Sequence, residues 1–108
     1  MIEVGFTRTV VLGFSKSLML WLLHIKPRTG YELMSEIKRL TGMVLGPGLI
    51  YPFLHILEEE GYIAGKWVKK AGRNLKYYSI TGKGEALLKK ARAVFKLPIK
   101  KMLLDLLG

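Results

Sequence analysis

The sequence predicts a mainly α-helical fold with one small β-hairpin, and three observations lead to it. Three successive segments before Gly61 repeat apolar residues at helical spacing and are separated by glycine or proline. The segment Tyr62 to Ile80 changes to aromatic and β-branched residues on either side of a glycine-containing turn. The remainder returns to steps of three and four. Helix, helix, helix, hairpin, helix within 108 residues is the order of a winged helix-turn-helix domain followed by one further helix. A chain of this length has room for one compact core.

The first segment, about Thr7 to Ile25, is helical by its length and its Leu, Met and Trp content, and it is apolar nearly all round, so it needs cover on several sides. Ser15, Lys16 and Ser17 interrupt it, and the run Leu18 to Leu23 is far shorter than the ~20 residues a bilayer span requires. The second opens with Thr29-Gly30-Tyr31-Glu32, the pattern of a capping box. Leu33, Ile37 and Leu40 then form an inner stripe, and Gly42 is the stop. The third runs from Gly46-Pro47-Gly48 to Gly61, with Ile50, Leu54 and Leu57 facing inward and Tyr51, His55, Glu58 and Glu59 pointing elsewhere. Pro52 lies near enough to the start to be tolerated.

The strands are expected at Tyr62 to Lys70 and Leu75 to Ile80, around a turn Ala71-Gly72-Arg73-Asn74 with a basic tip. One of Tyr77 and Tyr78 must face the core, because neighbouring strand residues point to opposite faces. Thr81 is a good N-cap for the last helix, whose apolar positions are Leu87, Leu88, Ala91, Val94, Phe95, Met102, Leu103 and Leu106. Pro98 should kink or split it.

Charge narrows the function. The formal net charge is +10, and between Lys66 and Lys101 the only acid is Glu85. A polyanionic partner follows, with nucleic acid ahead of an anionic membrane surface. The absence of cysteine removes disulfides, thiolate metal sites and cysteine nucleophiles, and fits a cytoplasmic location. His24 and His55 have no further ligand at metal spacing, so no metal or cofactor is expected. Glu58, Glu59 and Glu60 read as a solvated helix end rather than a catalytic cluster, and no enzyme activity is expected.

B-DNA's major groove, about 12 Å wide, admits one α-helix. The third helix is the candidate probe, and the hairpin would lie beside it along the backbone or minor groove. The segments Gly30-Tyr31-Glu32-Leu33, Pro47-Gly48-Leu49-Ile50-Tyr51-Pro52, Leu57-Glu58-Glu59-Glu60-Gly61-Tyr62-Ile63 and Lys76-Tyr77-Tyr78-Ser79-Ile80-Thr81 resemble, in order, the motifs of the PadR family of transcriptional regulators. The resemblance covers about Met19 to Leu88. It implies a dimeric repressor, often released from its operator by small phenolic or drug-like compounds, and no enzyme. Leu49 stands where relatives carry threonine or serine, and His55 and Ile56 stand where they carry basic residues. That shifts contact toward Tyr51, His55 and the wing. A single terminal helix resembles the shorter subgroup.

The expected DNA-binding residues are Gly30, Tyr31, Pro47, Gly48, Tyr51, His55, Lys69, Lys70, Arg73, Asn74 and Lys76. Gly30 and Tyr31 are equally well read as a plain helix start. Residues 1–81 would form the DNA-binding winged helix and residues 82–108 the dimerisation helix of the same domain. The homodimer is expected through Met19, Trp21, Leu22, Leu23, Phe95, Met102, Leu103 and Leu106, which exceed what one small core covers. A small aromatic effector would sit against Trp21, Phe95 and Met102, although plain dimer packing uses the same residue types. Trp21 and Trp67 fit core and ligand contact equally. The partner is double-stranded DNA with a pseudo-palindromic operator. A sequence-indifferent, basic chromatin or architectural protein is the alternative, and a membrane-associated one is third.

Overall fold

A computed structural model describes the backbone of residues 2–96, 99–106 and 108, and the side chains of residues 14–93, 96, 101, 102, 104–106 and 108. The elements run α1 (Ile2–Ile25), β1 (Arg28–Thr29), α2 (Gly30–Thr41), α3 (Pro47–Glu59), β2 (Ile63–Lys70), β3 (Arg73–Ile80), α4 (Gly82–Phe95) and α5 (Ile99–Leu106). The fold is mainly helical with one small antiparallel sheet, the winged helix-turn-helix order that the sequence predicts. No helix among the described residues is long and apolar enough to cross a membrane.

The core forms where α1 lies against α2, the sheet and α4, and α3 packs on α2 and β2. Met19, Leu20, Leu22 and Leu23 of α1 are fully buried with Leu33 and Ile37 of α2, Ile50, Leu54 and Leu57 of α3, and Ile63 of β2. Truncating any one large side chain in such a cluster to alanine costs about 2–5 kcal/mol. The all-round apolar character of α1 is explained by the several neighbours it serves. It also corrects an expectation: Met19, Leu22 and Leu23 have no surface left for a partner chain, because the protomer's own core consumes them.

The capping box at α2 is complete. Thr29 Oγ1 accepts from the Glu32 amide at 3.1 Å, and Glu32 Oε1 accepts from the Thr29 amide at 3.2 Å. The helix closes at Gly42, whose amide returns to the Lys38 carbonyl at 2.8 Å. Leu40 departs from its expected place: it is 42% exposed and belongs to an apolar groove described below. The helix α3 starts on Gly46, whose carbonyl accepts from the Leu49 and Ile50 amides at 3.0 and 3.1 Å, and runs through Pro52.

The wing turns more tightly than expected. Lys70 pairs with Arg73, so the connection is Ala71-Gly72 alone, with φ of 52° and 75°. Two consecutive positive φ values make a primed turn, whose twist matches that of the strands. Arg73 and Asn74 therefore belong to β3, not to the turn. The hairpin also has a third strand: β1 pairs with β3 through Arg28 opposite Tyr78 and Thr29 opposite Tyr77, giving the order β1-β3-β2. Arg28 is buried, and its Nε donates to the Leu22 carbonyl at the end of α1 at 3.1 Å. Tyr78 is the tyrosine that faces the core.

Thr81 caps α4 as expected, accepting from the Gly84 amide at 3.1 Å. Helical pattern continues in two pieces, α4 and α5, on either side of Pro98, which itself lies outside the described residues, as do the side chains of Val94, Phe95 and Leu103.

Thr29 serves both β1 and the α2 cap, so Thr29→Ala should lower unfolding stability by about 1 kcal/mol while Thr29→Ser stays near the original. Urea unfolding of the two variants checks this, and equal stability of all three proteins would remove the cap from the account.

Candidate nucleic-acid interface

Burial of Ile50, Leu54 and Leu57 at 3.6-residue spacing sends the other side of α3 to solvent. Pro47, Gly48, Tyr51, Pro52, His55, Ile56 and Glu59 are exposed there. His55 Nε2 sits 3.7 Å from Glu59 one turn on. Tyr51 is half-exposed, and its ring lies over Gly30 at the start of α2. A Cβ built on Gly30 would stand 2.7 Å from Tyr51 Cε1, so a side chain there would displace the ring. Gly30 is itself buried, which leaves it as the seat of Tyr51 rather than an open contact. Tyr31 beside it is exposed.

The wing completes the site. Strand pairing sets Gly65 opposite Tyr78, Trp67 opposite Lys76 and Lys69 opposite Asn74, and opposed residues share one face. That face looks toward α3. Gly30 and Tyr31 of α2, Tyr51 of α3, and Trp67, Arg73, Asn74, Lys76 and Tyr78 of the wing line one cleft of about 540 Å³. Six of the sequence-predicted DNA residues meet there: Gly30, Tyr31, Tyr51, Arg73, Asn74 and Lys76. Pro47, Gly48 and His55 lie along the exposed side of α3, and Lys69 and Lys70 at the wing's far end, all outside the cleft lining.

The basic residues of the wing are not equivalent. Lys69, Lys70 and Arg73 are exposed and enter none of the ion pairs among the described residues. Lys76 is half-buried and bonded to Glu58 Oε1 at 2.9 Å. Its ammonium stands 5.1 Å from the centre of the Tyr78 ring and 6.0 Å from that of Trp67. The Glu58 bond holds the Lys76 pKa above its ordinary value, and burial raises that of Tyr78.

Sequence reasoning missed two participants. Glu58 read as a solvated helix end, and Trp67 was left between core and ligand. It is 67% exposed on the cleft-facing side of the wing. The signal for Trp67 was present in strand alternation, since residues 65, 67 and 69 share a face; Glu58 needed the wing's position. His24, by contrast, bonds Glu85 at 2.9 Å and ties α1 to α4.

A second surface lies on the far end of α2. Phe14, Leu18 and Trp21 of α1, Leu40 and Thr41 of α2, and Leu88, Ala91 and Arg92 of α4 border an apolar groove of about 600 Å³. Trp21 is 40% exposed in it. On α5, Met102, Leu104 and Leu106 are exposed as well.

A wing and an exposed third helix framing one basic, aromatic-lined cleft define a winged helix-turn-helix transcriptional regulator. The sequence profile of the transcriptional regulator PadR-like family matches residues 19–90, and the chain belongs to that family. The motifs between Met19 and Leu88 fall within that match. Its members are transcriptional regulators and not enzymes. The fold is similar to a PadR-like regulator of Bacillus cereus, with 26% identity, a TM-score of 0.78, and coverage of 89% of this chain and 93% of that one. It is similar to a PadR family regulator of Clostridium difficile at 25% identity and a TM-score of 0.77, covering 88% and 99%. The PadR of Bacillus subtilis, solved in complex with operator DNA, is 28% identical with a TM-score of 0.62, over 69% of this chain and 44% of that one. No curated protein matches the chain.

The raised Lys76 and Tyr78 values carry a pH consequence. Both groups favour the folded state while protonated, so their contribution is fully present below their ordinary values of 10.5 and 10.0 and is lost as pH climbs through the raised ones. Unfolding stability should hold to about pH 10 and then fall, less steeply in Lys76→Met. Urea titrations across that range check it; an unchanged alkaline decline in the variant would detach Lys76 from the effect.

Proposed function

We propose that this protein is a sequence-specific DNA-binding repressor that acts as a homodimer on a pseudo-palindromic operator. The observation that carries the reading is the cleft itself, where the α2 start, the Tyr51 ring and the exposed Arg73 of the wing meet, with exposed Lys69 and Lys70 beyond it at the wing's far end. In that arrangement α3 enters the major groove, with Tyr51 and His55 toward base edges and Pro47 and Gly48 at the phosphates. Lys69, Lys70, Arg73 and Asn74 lie along the backbone. The Bacillus subtilis relative on its operator supports DNA as the partner. The action places the protein in the cytoplasm.

Residues 1–81 supply the DNA-binding unit and residues 82–108 the dimerisation helices. The apolar groove with Trp21, and the exposed Met102 and Leu106 of α5, support a two-fold association through α1 and the C-terminal helices. Two copies then present α3 about one DNA turn, roughly 34 Å, apart. Trp21 in a groove of about 600 Å³ also offers a planar aromatic effector a stacking wall, with Met102 adaptable beside the interface.

Arg73→Gln should flatten the dependence of log affinity on log salt by about 0.9, the effect of one phosphate contact. Tyr51→Ala and His55→Ala should instead lower discrimination between operator and scrambled DNA, by about 1–3 kcal/mol each. A protein that binds both duplexes equally is an architectural binder, and the repressor reading fails.

For the dimer, Trp21→Glu places a charge in the groove and should give a monomer by sedimentation with operator affinity reduced at least tenfold, as the second half-site is lost. A DNA-competent monomer of the unaltered chain contradicts the assembly.

A further inference from the structure

We propose that Glu58 is a positioning residue that locks the wing against α3 and, by holding Lys76, withholds that charge from DNA. The inference rests on the DNA-binding reading above, and it removes Lys76 from the residues expected to touch phosphate.

The carboxylate spans both strands of the wing. Oε2 accepts the Gly65 amide of β2 at 3.0 Å, and Oε1 accepts Lys76 Nζ of β3 at 2.9 Å. In the order β1-β3-β2 the strand β2 is an edge, whose outward amides lack a strand partner. Glu58 satisfies one of them from the last turns of α3, so the helix carries the wing on two bonds from one side chain.

Gly65 is the sequence's accommodation to this contact. A Cβ there would lie 2.7 Å from Glu58 Oε2 and collide with Lys76 Cε. Glycine weakens a strand interior and marks a close approach; here the approaching group is the carboxylate with its lysine.

The lysine's surroundings are those of a neutralised charge. Glu58 and the rings of Tyr78 and Trp67 surround its ammonium. The two side chains of the pair are only 28% and 31% exposed. A phosphate approaching Lys76 would meet the Glu58 carboxylate beside it, and like charges at contact distance oppose each other. A neutral pair displaces no counterion, whereas Lys69, Lys70 and Arg73 each do.

The test uses the full chain, a duplex selected in vitro by the unaltered protein, and a scrambled duplex, each titrated with salt. Glu58→Gln combined with Lys76→Gln removes the neutral pair as a whole and should leave the salt slope within a few tenths, whereas Arg73→Gln lowers it by about 0.9. Glu58→Gln keeps an acceptor for Gly65 but frees the ammonium, so the slope should rise by about 0.9 with discrimination retained. Glu58→Ala should raise the slope equally and also cut discrimination on the order of tenfold, because the wing loses its anchor. Glu60→Gln adds the same formal charge but faces Lys16 of α1 at 3.7 Å, and should do neither. Loss of a full phosphate contact in the double variant overturns the proposal while leaving the DNA-binding reading intact. So do equal effects of Glu58→Ala and Glu60→Gln. An unaltered protein that binds neither duplex overturns both.

Discussion

The burial of Ile50, Leu54 and Leu57 in the core, where α3 packs on α2 and β2, is the constraint on which the rest of the molecule depends. A helix cannot present the same face twice, so fixing those three inward fixes Tyr51, Pro52, His55 and Ile56 outward. The same packing sets the depth at which α3 sits, and Gly30 shows how closely: the Tyr51 ring rests where a side chain at that one position would stand. The exposed face is thus held by the core below and by α2 beside it. A face held on two sides loses little side-chain freedom on binding, which favours specificity.

Net charge is a poor guide to how that face meets a polyanion. The chain carries +10, yet several cations are committed within the fold: Arg28 to the end of α1, Lys76 to Glu58, and Lys83 to the Glu60 carbonyl and the Tyr62 ring. The exposed wing cations outside the ion pairs of the described residues are Lys66 on β2 and Lys69, Lys70 and Arg73 at the far end, where Ala71-Gly72 closes the turn in two residues. Placement of charge, not its sum, separates a binding surface from a merely basic one.

Much of this was legible in the sequence because it is local. The capping box at Thr29, the inner stripe of α3, the Thr81 cap and the rule that one of Tyr77 and Tyr78 faces the core each follow from spacing alone. What escaped is non-local. Strand β1 is two residues long and owes its existence to β3 alone, so no period announces it. Leu40 shares a stripe with Leu33 and Ile37, yet the core ends before reaching it. Met19, Leu22 and Leu23 look like surplus apolar residues until α2, the sheet and α4 are all seen to lean on one helix. Glu58 among three acids is indistinguishable from its neighbours until the wing comes to lie across it, and Gly65 was the one local hint, a glycine in the middle of a strand.

The helix α2 is the element that borders both surfaces. Gly30 and Tyr31 at its start line the cleft, and Leu40 and Thr41 at its end line the apolar groove. Its 12 residues make about 18 Å of rigid rod. The Thr29 capping box and the Gly42 amide bonded to the Lys38 carbonyl close its two ends. A second copy or a ligand seated in the groove would touch the same helix whose first residue, Gly30, lies under the Tyr51 ring. The two surfaces are thus joined by one capped element of the fold rather than by separate loops.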